Sequence, residues 1–485
     1  LLGLLAVHNM RKRYTRALAR WLALSICATL GHVACAETLF DIYELALEND
    51  AQLKVSIAQY RADLELEKLA LAPLLPQARA GYSVSQTETD TMSPTIIQDS
   101  TQGLVVIDGT TVRTIDNDGY DVSLSQTLFD LTAWFGWRAG KETARQAKAS
   151  LAAAQQDLIV RVAEAYFGVL RTQDNLRASK ARERALERQL EQTRQRFEVG
   201  LISITEVYEA EAARDVAQVT RIVDENSVAV ANENLSILTG QSHGSLYLLG
   251  EEFEPMPPEP TNRAKWVDFA LANNNQLAAV RFAEEAARQN ATASKMGHTP
   301  TISATYRYAD TETSGSISQD PPSVFNLPPE SEQTQETWQI RLDLPLLSGG
   351  AISANRRRAA EQFNVARESR INLTRTTVTQ TRSLHMTVMS DVTRVKARKQ
   401  SIVSSQSALD ATQAGYEVGT RNIVDVLNAQ NTVFAAQRDY ANSRYDFVIN
   451  SLRLKEVAGT LSPEDILRLE HFLFTPPAPT ASQLP

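Results

Sequence analysis

Only two cysteines occur in the 485 residues, Cys27 and Cys35, and both precede position 37. No disulfide framework or thiolate metal site is therefore expected beyond them, and stability must come from packing or assembly. Histidine is scarce too. After position 37 there are only His243, His298, His385 and His471, none at ligand spacing from another. Neither a metal centre, a resident cofactor nor a Ser/His pair is expected, and the chain does not read as an enzyme. Beyond Ala36 no run of 18 apolar residues exists, so no membrane-spanning helix is expected. That test is blind to a β-barrel, whose strands only alternate. Gly140-Lys141 is no phosphate loop, because Phe135 stands where its first glycine belongs and Glu142 follows the lysine.

The first 36 residues read as a separate segment. Arg11, Lys12, Arg13, Arg16 and Arg20 precede the apolar stretch Trp21 to Leu30, and Ala34-Cys35-Ala36 gives a small-x-small cleavage pattern. This is the pattern of a secretory signal peptide, with Met10 as its start, 1–9 as upstream read-through and Glu37 as the mature N-terminus. A lipidated Cys35 is the alternative, against which stands His32 where an aliphatic residue is usual. The segment holds five of the 49 basic residues and none of the 57 acidic ones, so the remainder carries a net charge of −13. Such a balance argues against a nucleic-acid partner.

Proline is missing from Thr95 to Glu254 and again from Leu346 to Ser462. Long helices require such gaps, because an interior proline breaks the hydrogen-bond ladder. Comparing the two regions exposes a duplication. Ala46-Leu47, Gln52-Leu53, Pro76 and Tyr82 recur 224 residues later as Ala270-Leu271, Gln276-Leu277, Pro300 and Tyr306. Leu124 to Leu128 recurs 218 later as Leu342 to Leu346. Phe197-Glu198-Val199-Gly200 recurs 219 later as Tyr416-Glu417-Val418-Gly419, and Gly240 as Gly459.

The boundaries that follow are a first repeat at 37–240, a linker at 241–265, a second repeat at 266–461 and an irregular, largely disordered tail at 462–485. Each repeat reads as helix, strand, polar loop, strand, long helix, tight turn, long helix. Leu53, Ile57, Tyr60, Leu64 and Leu71 keep a coiled-coil seam, as do Leu151, Leu158, Val162, Ala165, Val169 and Leu176. From Thr132 to Glu198 a continuous helix would run roughly 100 Å. A coiled-coil stalk or periplasmic adaptor would explain the helices alone.

It would not explain four alternating segments, at about 78–89, 119–128, 300–309 and 336–346. Each is near the 9–11 residues that cross an outer membrane at a tilt. Four strands cannot close a barrel and open edges are untenable in lipid, so several chains must pool them. Three chains would supply twelve strands and leave a lumen. The polar stretches at about 90–118 and 310–335 then read as extracellular loops. Arg356-Arg357-Arg358 reads as a solvated helix face, with lipid phosphates as the alternative contact.

The run Tyr416 to Asn428, YEVGTRNIVDVLN, closely resembles the helix-turn-helix tip of the TolC family, and Phe197 to Val207 resembles the first-copy tip. The resemblance covers Thr38 to Leu461. It implies a mainly α protein with β: antiparallel coiled coils forming a periplasmic α-barrel, and four strands per chain in a shared twelve-stranded, trimeric outer-membrane β-barrel. It implies a passive duct for efflux or type I secretion, partnered by a periplasmic adaptor and an inner-membrane transporter. Tyr416 and Arg421 match the residues that bond to the neighbouring first-copy tip, where Thr205 and Glu206 match their partners, Glu standing where Asp is frequent. Asp425 matches an acidic ring at the narrowest point of the lumen, and Asn428 departs from a second such ring. The same positions have a plainer reading. Gly200 and Gly419 suit helix ends, and Ser203 to Glu206 and Asn422 to Asp425 resemble capping boxes.

Overall fold

A computed structural model describes residues 36–320, 322 and 327–474. The signal segment before Ala36 and the tail after Phe474 lie outside them. The chain folds as two compact units. One comprises 36–55, 153–274 and 377–474; the other comprises 56–152 and 275–376.

The first repeat begins with helix α1 (Leu39–Asn49), whose start is set by a capping box. Thr38 Oγ1 accepts from the Asp41 N–H at 3.2 Å, and the Thr38 N–H donates back to the Asp41 carboxylate at 2.9 Å. Helix α2 (Ala51–Leu71) follows after a break at Asp50, then a 3₁₀ turn, strand β1 (Gln77–Asp99) and strand β2 (Gly103–Phe129). Helix α3 (Leu131–Glu198) and helix α4 (Ile204–Thr239) complete the copy. The two-residue strand β3 (Leu248–Leu249) sits in the linker.

The second repeat runs through α5 (Arg263–Asn273), α6 (Asn275–Lys295), a 3₁₀ turn, β4 (Thr301–Asp320), β5 (Ser331–Asp343), α7 (Ala351–Glu417) and α8 (Ile423–Val457). The duplication extends to the backbone. Asp50 breaks the first helix pair at φ −57°, ψ 117°, and Asn274, 224 residues on, breaks the second at φ −63°, ψ 116°.

In the second unit, four antiparallel strands form one sheet in the order β1-β2-β4-β5. Among the described residues, β1 and β5 each pair on one side only. Directly opposed residues share a face. Ala80, Val122 and Tyr308 stand in one such row, and Ala78, Leu124, Tyr306 and Trp338 in the next. Ile340 and Leu342 extend this apolar face, and Trp338 and Ile340 are 80% and 76% exposed. Asp118, Asp310 and Glu336 end it across three strands. At that rim the hydroxyls of Tyr82 and Tyr120 donate to Asp118 and Asp310 at 3.4 and 3.2 Å. An apolar band rimmed by aromatics that hold polar partners is what a lipid-facing strand surface requires. The opposite face carries Arg79, Ser83, Asp121, Ser123, Arg307 and Arg341, with Arg307 paired to Asp121 at 3.7 Å.

The strands depart from the sequence reading in their length. The stretches at 90–118 and 310–335 are largely strand, not loop: β1 and β2 stay in register until Asp99 meets Gly103, and β4 pairs with β2 out to Asp320. The reason is composition. Val105, Val106, Ile107, Thr110, Thr111, Val112, Thr114 and Ile115 are β-branched, which favours extended backbone whether or not a face is apolar. At the other end β5 stops at Asp343, short of 346, because Pro345 has no N–H to give. Arg356, Arg357 and Arg358 are exposed near the start of α7.

The expected tail is partly ordered. Helix α9 (Pro463–Glu470) is started by a capping box of Ser462 and Asp465, and strand β6 (Leu473–Phe474) pairs with β3. Linker and tail thus form one small ribbon. Glu37 joins Leu246 by a parallel bridge beside it.

Candidate functional site

The two helical turns predicted as tips lie in the first unit, and both end in the same local geometry. Gly200 and Gly419 adopt φ +75° and +82°, the left-handed region that glycine enters without strain. The Leu201 N–H reaches the Arg196 carbonyl at 2.9 Å and the Gly200 N–H the Phe197 carbonyl at 2.8 Å. In the second copy, the Thr420 N–H bonds to the Gly415 carbonyl at 2.8 Å and the Gly419 N–H to that of Tyr416 at 3.1 Å. These paired bonds are Schellman motifs, which satisfy the last carbonyls of a helix.

The following helices start differently. Asn422 caps α8, its Oδ1 accepting from the Asp425 N–H at 2.8 Å. Ser203 makes no side-chain cap on α4, so the expected Ser203–Glu206 box is not formed. The Glu206 carboxylate is engaged elsewhere, accepting the Tyr416 hydroxyl at 3.3 Å.

Tyr416 is the centre of the tip. Its ring is buried with Leu186, Ala217, Ile423, Val426 and Leu427 in one core drawn from both copies. The Arg196 guanidinium lies 4.7 Å from the ring centroid, a cation–π contact. Burial first, and then the Glu206 charge, push the Tyr416 hydroxyl above its ordinary value, so it stays a donor. Arg196, Tyr416 and Glu206 therefore tie α3, α7 and α4 together within one chain. Sequence reasoning missed Arg196; its only signal is a basic residue in the last turn of α3.

Arg421 does not reach Thr205 or Glu206 in this chain. It pairs at 3.7 Å with Asp425, one turn on, and remains 61% exposed. Thr205 is exposed, Asp425 is half-buried, and Asn428 is exposed one turn beyond Asp425. Ile423, Val426, Leu427 and Gln430 bury the other side of α8. Asp425 and Asn428 therefore share a polar face turned from the tip core. Among the described residues no cluster of histidine, cysteine and acidic groups could hold a metal ion.

A sheet with one apolar, aromatic-rimmed face and two open edges, together with duplicated helical hairpins, defines a class: outer-membrane channel protomers. The chain belongs to the outer membrane efflux protein family, whose model matches residues 42–241 and 266–460, one match to each repeat. It is 33% identical over 445 residues to the outer membrane protein TolC of Vibrio cholerae serotype O1, covering 90% of this chain and 94% of that one. It is 29% identical to the alkaline protease secretion protein AprF of Pseudomonas aeruginosa, covering 93% and 90%. The solved outer membrane protein VceC of Vibrio cholerae superposes with a TM-score of 0.68 at 18% identity, covering 87% of this chain and 96% of that one. The fold, an α-helical protein with a four-stranded sheet and two family repeats, is that of these channels, and its place is the outer membrane.

Proposed function

We propose that three copies of the chain pool their strands into one closed twelve-stranded barrel and form a passive exit duct for efflux or type I secretion. The observation that carries the reading is the open, one-sided apolar sheet. Unpaired strand edges cannot face hydrocarbon, and four strands cannot close on themselves. Three copies satisfy both edges and enclose the face bearing Arg307 and Asp121 as a wet lumen. No catalysis is assigned: the duct lets cargo through and takes its energy from an inner-membrane transporter, engaged through a periplasmic adaptor. A family described by efflux and a relative named for protease secretion leave both small molecules and polypeptides as cargo.

Gating belongs to the tips. The Tyr416–Glu206 bond holds the two copies of one chain together, while the exposed Arg421 can swing toward Thr205 or Glu206 of a neighbouring subunit. Asp425 forms the constriction with Asn428 one turn on, a single ring of carboxylates that favours cations. Native mass spectrometry of the detergent-extracted protein should show a trimer that survives mild heating. A stable monomer would sink the proposal.

A further inference from the structure

In the unit that holds the sheet, α2, α3, α6 and α7 all meet the same end of the strands. Side chains tie them there. Gln126 of β2 donates to the Leu74 carbonyl beyond α2 at 2.9 Å, and the His298 Nδ1–H beyond α6 donates to the Pro345 carbonyl before α7 at 3.2 Å. The apolar surface continues down to this level. Leu346 and Leu347 are 82% and 91% exposed, and the exposed Trp134 on α3 stands edge-on to Trp137 at 5.1 Å. Exposed aliphatic and indole side chains directly beside a lipid-facing band mark the depth at which hydrocarbon gives way to water.

Charge is segregated at that depth. The stretches 131–141, 289–300 and 344–360 hold Arg138, Lys141, Lys295, Arg356, Arg357 and Arg358, and no carboxylate. All six cations are exposed. Of the acids that border these stretches, Asp130 caps α3 through the Ala133 N–H at 2.9 Å. Glu142 pairs with Arg145 at 2.8 Å, and Glu361 accepts from Asn364, further along α7, at 3.1 Å. The far ends of the strands have the opposite character: 84–120 and 309–336 carry twelve carboxylates against Arg113 alone. A chain that is acidic as a whole thus places a purely basic collar on one side of its apolar band. Arg138 and Lys141 lie 5.7 and 5.8 Å from the ring centroids of Phe135 and Trp137, long side chains laid along aromatic surface with the charge carried outward. Arg356 begins about 8 Å into α7, close to the headgroup layer that extends about 5–7 Å beyond the hydrocarbon.

We propose that this collar binds anionic phospholipid headgroups in the periplasm-facing leaflet, with Arg356, Arg357 and Arg358 as its principal contact. The proposal rests on the barrel reading above and adds a lipid preference to it. Phosphodiester oxygens take the forked donors of the arginines, while Leu346 and Leu347 take the acyl chains. A free anion satisfies only the first of these, and a phospholipid satisfies both. The contact fixes the depth at which the barrel sits.

Native mass spectrometry of the full chain in detergent, titrated with phosphatidylglycerol or with phosphatidylcholine of the same acyl chains, reads lipid occupancy and subunit number together. The trimer should bind phosphatidylglycerol at least tenfold more tightly. The triple variant Arg356→Gln, Arg357→Gln, Arg358→Gln should cut that preference at least fivefold. Arg375→Gln, at an exposed position about 25 Å further along α7, should leave it unchanged. A wild-type trimer that binds both lipids alike overturns the collar and leaves the duct standing, whereas a monomer overturns both. Undiminished preference in the triple variant also overturns it, as does an equal loss in Arg375→Gln. So does a triple variant that falls apart into monomers, which would assign the arginines to contacts between subunits.

Discussion

Tyr416 uses its two chemical ends separately: the ring takes the Arg196 cation and the apolar core, and the hydroxyl takes Glu206. Phenylalanine keeps the first and loses the second, so Tyr416→Phe isolates one hydrogen bond to a charged group, about 1.5–3 kcal/mol. Arg421→Ser removes an exposed ion pair contributing only about 0–1 kcal/mol, so any larger effect must come from contacts beyond its own turn. The double variant should raise single-channel conductance in planar bilayers, and Asp425→Asn should move the reversal potential toward zero under a salt gradient. If both quantities stay where they are, these side chains cap and pack helices and do not gate or line a pore. The motif makes the Tyr416–Glu206 contact legible in the sequence. Arg196 is not legible there, because a stacking contact between α3 and α7 depends on how two distant segments pack. Ser203 misleads for a related reason: a local capping pattern loses its glutamate to a partner 210 residues away.

At the scale of elements, the broken helix pairs show how the duplication has diverged. Asn274 bridges to the Val457 carbonyl at 2.9 Å through its amide. Asp50, its counterpart, caps α2 through the Leu53 N–H at 2.6 Å and takes two bonds from Arg161, at 2.9 and 3.1 Å. Burial alone would raise the Asp50 carboxyl, but the Arg161 guanidinium and the backbone donors outweigh it and hold it below the usual range. A depressed carboxylate stabilises the fold above its unfolded pKa of about 3.9 and loses that contribution as pH falls through its folded value. Asp50→Asn should therefore lower the melting temperature at pH 7, by the equivalent of about 2 kcal/mol. The gap between variant and wild type should shrink progressively below pH 4; a gap that persists there would assign the loss to packing instead. The offset of 224 residues marks both breaks in the sequence. Strand ends are less legible, because past Asp118 polar and charged residues interrupt both faces and the apolar run Leu104 to Ile107 does not alternate, so only the β-branched residues betray the strand.

For the whole molecule, the sheet divides into a stretch that can meet lipid and one that cannot. The apolar face ends where Val84 stands opposite Asp118, yet β1 and β2 remain paired to Asp99 and Gly103. Fifteen residues of β1 lie past that level, about 50 Å of paired strand along its own length. If the band sits in the outer membrane, this arm stands clear of the lipid on the external side, and its turn at Ser100 to Gln102 is a landmark on the intact cell. A short epitope inserted there should leave assembly unaffected and be stained by antibody on unbroken cells. Staining only after permeabilisation would invert the orientation. In that orientation the projecting hairpin would make the protein countable from outside, cell by cell, and its accessibility to antibody or protease would read directly how many ducts have reached the surface.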